Sequence, residues 1–142
     1  MTDLFPALTS VGDVLDEERA TIVACEVNTA QIVVKGQAVD LIHQASGLPK
    51  VQLAGIDSVI AGGIVVALGK LATGAVSGAA GVTVQVLVKG TVKVTAGGTV
   101  TVGKLVKVGG MAGRVVDSAV YGDVLGKALQ TMASGDTGLI IL

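Results

Sequence analysis

The sequence predicts an all-β protein, and three observations carry that reading. Valine fills 26 of the 142 positions, and its branched side chain is stiff at χ1 and favours extended backbone. Glycine fills 21 more and supplies turns between short strands. From residue 29 onward apolar and polar residues alternate with a period of two, the pattern of strands with one face on a core and one toward water. The architecture expected is a compact β-barrel or a pair of packed sheets, built from two related small β modules and preceded by an extended N-terminal arm.

The elements follow in order. Residues 1–28 form an acidic leader with Asp3, Asp13, Asp16, Glu17, Glu18 and Glu26 against Arg19 alone, whereas residues 29–142 carry nine basic side chains against five acidic. The leader also holds the only phenylalanine, Phe5, and one of two prolines, Pro6. With Leu4, Leu8, Val11, Val14 and Leu15 it is too apolar for a purely solvated tail. It either docks on a partner, pairs with its own body or a sister subunit, or packs locally as a terminus. Asp16-Glu17-Glu18 reads as a solvated helix start or turn.

In the body, Val82, Val84, Val86 and Val88 interleave with Thr83, Gln85, Leu87 and Lys89. Val92 and Val94, Val100 and Val102, and Val106 and Val108 repeat the alternation. Gly90, Gly97-Gly98, Gly103 and Gly109-Gly110 punctuate these strands at hairpin spacing.

The halves of the body look duplicated. Gly36-Gln37-Ala38-Val39-Asp40-Leu41 resembles Gly103-Lys104-Leu105-Val106-Lys107-Val108. Leu68-Gly69-Lys70 followed by Ser77-Gly78 matches Leu125-Gly126-Lys127 followed by Ser134-Gly135 without a gap. On this alignment the extra length of the first copy falls in its middle section, around Ser46-Gly47-Leu48-Pro49. The modules are then residues 29–90 and 91–142. Each is too small to bury much core alone, so a shared core is expected.

Composition excludes several functions. Charged residues are only 15% of the chain and the net charge is −1, so no basic field exists for nucleic acid, and 1% aromatics leaves almost nothing to stack on bases. A single cysteine, Cys25, rules out an internal disulfide and a cysteine-cluster zinc site, and a buried thiol is expected. The stretch Leu71–Val88 is free of charge and 18 residues long, but its glycines and its alternating second half argue against a membrane helix. The start lacks the basic-then-apolar order of a signal peptide, which suggests an intracellular origin.

No catalytic constellation emerges. Gly98-Thr99-Val100-Thr101-Val102-Gly103-Lys104 fits the spacing of a phosphate-binding loop. Yet Leu105 stands where magnesium coordination needs Ser or Thr, and the residues between the glycines alternate like a strand, so a hairpin is expected. The only histidine, His43, could join Asp40 or Asp57 in a triad, but no nucleophile elbow occurs, and a surface-strand position fits it better. No cofactor and no metal site are expected, and the chain is read as a non-enzyme. High aliphatic content with few charges favours life in an assembly, where apolar surface and strand edges are covered.

The body resembles the head decoration (capsid cement) proteins of tailed bacteriophages. The residues that carry the likeness are Gly103-Lys104-Leu105-Val106, Gly122-Asp123-Val124-Leu125-Gly126-Lys127-Ala128-Leu129, Ala133-Ser134-Gly135 and the closing Leu139-Ile140-Ile141-Leu142. The first copy adds Gly36-Gln37-Ala38-Val39, Leu68-Gly69-Lys70 and Val84-Gln85-Val86-Leu87-Val88. The likeness covers roughly residues 29–142 and rests on pattern rather than on a signature residue.

It implies a structural virion protein, made in the host bacterial cytoplasm, that sits on the outer capsid surface. Its partners would be the major capsid protein and itself, as a homotrimer or a dimer, with no nucleic acid and no membrane. Leu4, Phe5 and Leu8 would contact a capsid or sister subunit. The other class considered is a trimeric phage fibre or adhesion-associated β module that binds a receptor or glycan; one tyrosine and no tryptophan provide little platform for a sugar.

Overall fold

The computed structural model describes residues 10–15, 17–28, 31–42, 47–119 and 124–142, and within these the protein is all-β apart from one 3₁₀ turn. Thirteen strands occur in the described residues: β1 (Val14–Leu15), β2 (Thr21–Val27), β3 (Ala38–Ile42), β4 (Lys50–Leu53), β5 (Ala61–Ala67), β6 (Gly69–Lys70), β7 (Val76–Ser77), β8 (Thr83–Lys89), β9 (Thr91–Thr95), β10 (Leu105–Val108), β11 (Val115–Asp117), β12 (Gly126–Ala128) and β13 (Thr137–Ile141). The acidic run ends in the 3₁₀ turn Glu17–Arg19, with Glu18 exposed.

The first barrel is closed, in the order β2-β4-β3-β5-β8. All its ladders are antiparallel except β2 with β4, where Glu26 and Val27 face Lys50 and Val51 in parallel. The alternation in the sequence explains which residues go inside. Cys25, Val27, Val39, Val51, Val65, Val84 and Val86 point inward with Val33 and are buried. Thr21–Val27, which the sequence reading placed in the leader, is thus a strand of this barrel.

The second sheet runs β1-β9-β13-β12-β10-β11. An isolated parallel bridge between Ala96 and Val115 joins its far side back to the end of β9. Leaving out β1, its order is that of the first barrel, strand for strand: β9 stands for β2, β13 for β8, β12 for β5, β10 for β3 and β11 for β4. The ladders agree as well. Val27 lies beside Val51 in the first barrel as Ala96 lies beside Val115 in the second. Val39 faces Gly63 as Val106 faces Gly126.

The interiors correspond in turn, with Val94, Ala96, Val106, Val115, Ala128 and Ile140 taking the places of Cys25, Val27, Val39, Val51, Val65 and Val86. One position differs: Gly138 stands where the first barrel has Val84, and the Met132 thioether packs against it. The flexible Met side chain fills the volume the missing valine leaves.

This register confirms the upstream match, since Gly36 and Gly103 occupy equivalent turns and both adopt positive φ, +91° and +85°. It corrects the downstream one. The counterpart of Gly126 is Gly63, not Gly69, because Gly126 faces Val106 as Gly63 faces Val39, whereas Gly69 pairs with Ser77 in the hairpin. The extra length of the first module lies mainly after β5. Twelve residues separate Val65 from Gly78, whereas three separate Ala128 from Met132. The insertion is the β6–β7 hairpin.

The first barrel fills its own interior, and a second core cluster is shared between the modules, so the single shared core expected from their size holds only in part. The outward faces of β3, β5 and β8 present Ala38, Ile64 and Leu87, all fully buried, to the same cluster that fills the second barrel. Gly113 seals the seam by accepting from Ala38 N and donating to Ala54 O, each at 2.9 Å. Only Gly90 separates β8 from β9.

Candidate functional surface

The described part of the leader pairs with its own body. Val14 and Leu15 lie antiparallel to Val92 and Thr91. Gly12 N donates to Lys93 O at 2.7 Å and Lys93 N to Asp13 O at 3.1 Å. The Asp13 carboxylate accepts from Lys35 Nζ at 2.8 Å and caps Ser10 N at 3.0 Å. The segment therefore ties both modules together. Leu4, Phe5 and Leu8, the contact residues expected from the sequence, lie outside the described residues, as does His43.

In the phosphate-loop candidate the amides from Val100 to Lys104 are already used. Val100 bridges to Met132. Thr101 N and Oγ1 both donate to the Asp117 carboxylate at 2.8 Å. Val102 N donates to Thr131 Oγ1, Gly103 N to Ala128 O and Lys104 N to Thr101 O. A phosphate cradle needs converging free amides, and these have none to offer.

The carboxylates once considered for a triad are also occupied. Asp40 is buried and accepts from Ser58 Oγ and from Gln52 Nε2. Asp57 pairs with Lys107 Nζ at 2.7 Å. The Cys25 thiol is buried in the first barrel, and desolvation pushes its pKa up, which disfavours the reactive thiolate. Among the described residues no group of three His, Cys, Asp or Glu is placed to hold a metal ion. Among them, too, no helix is long and apolar enough to cross a membrane.

The surface is instead marked by apolar side chains facing water. Ile56, Val59 and Ile60 are more than half exposed on the β4–β5 connection. That connection is held rigidly: Asp57 N donates to Val108 O, Leu41 N to Ile60 O, and Ser58 is fixed by the buried Asp40. A second group comprises Ile32, Leu71 and Val76, near and on the β6–β7 hairpin. A cleft of about 300 Å³ opens where Leu15, Thr91, Ile141 and Leu142 meet Arg19 and Lys89. The sequence carried one signal for the hairpin, its lack of charge, which had drawn attention only as a test for membrane insertion. The apolar residues of the β4–β5 connection had no such signal, because isolated aliphatics look alike whether buried or exposed.

The fold thus defines an all-β protein in which a closed five-stranded barrel is followed by a sheet of the same strand order, with apolar side chains exposed on its surface. Among solved structures it is similar to the N base of the head fiber gp8.5 of bacteriophage phi29, with a TM-score of 0.54 and 15% identity, over 87% of this chain and 93% of that one. No family model matches the sequence, and no curated protein matches it.

Proposed function

We propose that this chain is a structural protein of a phage virion that binds the outer surface of an icosahedral head. There it stabilises the expanded shell by clamping neighbouring major capsid subunits. The observation that supports this reading is the likeness over most of both chains to the base of a phage head fiber, a part named for its place on a head. The charge-poor surface with rigidly displayed Ile56, Val59 and Ile60 supports it further, since such side chains are stabilised when a partner removes them from water. Leu4, Phe5 and Leu8 would add contacts to a capsid or sister subunit. Many copies of a modest contact, joined through the shell and through a homotrimer, hold the expanded lattice over its ruptured alternatives.

The test is sedimentation of the purified protein with expanded and unexpanded heads, followed by disruption of the heads by heat. Saturable binding to expanded heads, with a raised disruption temperature, is expected. Failure to bind either form overturns the proposal.

The head-fiber likeness also favours a second reading, the base of a fibre or an adhesion-associated module that binds a receptor or glycan. Occupancy separates the two. A clamp covers the lattice at every equivalent junction, whereas a fibre base occupies isolated positions, and its loss reduces adsorption rather than head stability.

A further inference from the structure

The duplication sets one exchange of residues in view. In the first barrel Glu26 lies beside Lys50 across the parallel ladder, one residue before the pair of Val27 and Val51. One residue before the equivalent bridge of Ala96 and Val115, the second barrel has Thr95 and Arg114. The cation is kept and the carboxylate is not. Arg114 is half-buried, and among the described residues no carboxylate pairs with its guanidinium.

Thr95 and Arg114 line a cleft of about 200 Å³ at the seam between the modules. Val11 of the leader and the turn at residues 34–37 complete its walls. Chemistry fixes how the half-buried Gln37 side chain is oriented there. Val34 N donates to Gln37 Oε1 at 2.9 Å, which leaves the Nε2 donors without a partner among the described residues. Lys35 adds a second cation, already held by the Asp13 carboxylate at 2.8 Å. No carboxylate lines the cleft among the described residues. The amides of Gly36 and Gly113 are used on Val65 O and Ala54 O, so recognition falls to the side chains.

We infer that this cleft binds a carboxylate, which takes beside Arg114 the place that Glu26 holds beside Lys50. The planar fork of a guanidinium fits a carboxylate through two parallel hydrogen bonds, and the Gln37 amide supplies a neutral donor next to it. With Lys35 balanced by Asp13, the charge left over is that of Arg114. A carboxylate balances that charge, whereas a phosphate dianion exceeds it. Because the walls come from the leader and from both modules, a bound carboxylate favours the arrangement in which all three are docked.

The site does not depend on binding to a head and is tested on the purified full chain. Propionate, the free counterpart of a glutamate side chain, is titrated at constant ionic strength and followed in amide NMR spectra. Saturable shifts centred on Val11, Gly36, Thr95 and Arg114 are expected. Arg114→Gln should raise the Kd at least about tenfold, the spectrum itself showing that the variant is folded. Thr95→Glu is an independent variant that supplies the carboxylate from within the chain; it should melt no lower than the wild type and no longer respond to propionate. The inference is overturned by a wild type without saturable shifts, or by either folded variant binding propionate as the wild type does. Tighter binding of inorganic phosphate at the same residues overturns it as well. A capped glutamyl tripeptide, titrated in parallel, identifies the source. Binding tighter than that of propionate supports an acidic side chain of a partner protein, and equal or weaker binding supports a free acid.

Discussion

Replacing Leu87 with Ala tests whether the two modules behave as one folding unit. Leu87 is fully buried on the outer face of the first barrel and belongs to the cluster that fills the second. The substitution removes three carbons, worth about 2.4 kcal/mol at roughly 0.8 kcal/mol per buried carbon. The cavity left behind adds on the order of 1–2 kcal/mol if the surroundings relax only partly. A loss of about 3–4 kcal/mol is therefore expected, which for a chain of this length lowers Tm by roughly 10–13 °C. With one Tyr and no Trp, fluorescence is a poor probe, so urea titration by far-UV circular dichroism and scanning calorimetry are the assays. A single cooperative transition that moves as a whole is expected. Two separate transitions, only one of which moves, or a loss below about 1 kcal/mol, would refute the shared core.

Three other predictions concern separate features. Gly63→Ala should cost about 1–3 kcal/mol in urea titration, because its Cβ would lie against Val86 and 2.9 Å from Leu87 O, whereas Gly55→Ala, with nothing within 4 Å, should stay within about 0.5 kcal/mol of wild type. Asp40→Ala should cost about 1–3 kcal/mol and speed hydrogen exchange at Ile60, whose amide donates to Ser58 Oγ; Asp40→Asn, which keeps an acceptor, should lose less. Burial raises the Cys25 pKa above its ordinary value of 9.0, so the native state holds the proton longer than the unfolded chain does. The stability this gives is fully present below pH 9 and falls as the pH rises beyond it, and a Cys25→Ala protein should lack that alkaline fall in a titration of Tm against pH.

Much of the fold was legible in the sequence because valine alternation states directly which face is buried. The strands around Val84–Val88 and Val92–Val94 could be read residue by residue, and Gly36 and Gly103 marked equivalent turns. The downstream half of the repeat was legible only as a repeat, and its register was lost. Leu68-Gly69-Lys70 and Leu125-Gly126-Lys127 are alike in letters. But Gly63, Gly69 and Gly126 all lie against a strand carbonyl, and only the ladder partners, Val39 for Gly63 and Val106 for Gly126, show which two correspond. An inserted hairpin of small residues slid the comparison out of step. The strand Thr21–Val27 was hidden differently, since the acidic residues of the leader set its apparent boundary by charge while the backbone pairing with β8 crossed it. The surface was the least legible part, because the connection that carries Ile56, Val59 and Ile60 is anchored by contacts distant in sequence, Ser58 to the buried Asp40 and Asp57 N to Val108 O.

The strand order also dictates a timetable for synthesis. In each module the first strand pairs with the last, β2 with β8 and β9 with β13, so neither barrel can close until its final strand has been made. The first barrel is complete when Lys89 leaves the ribosome, but the cluster that covers the side chains it offers to its neighbour (Ala38, Ile64 and Leu87) is not complete until Ile140 follows. At roughly 5–20 residues per second that interval lasts on the order of 3–10 seconds. For those seconds the nascent chain carries an aliphatic face that is only partly covered, the kind of surface that makes an incomplete chain prone to aggregate.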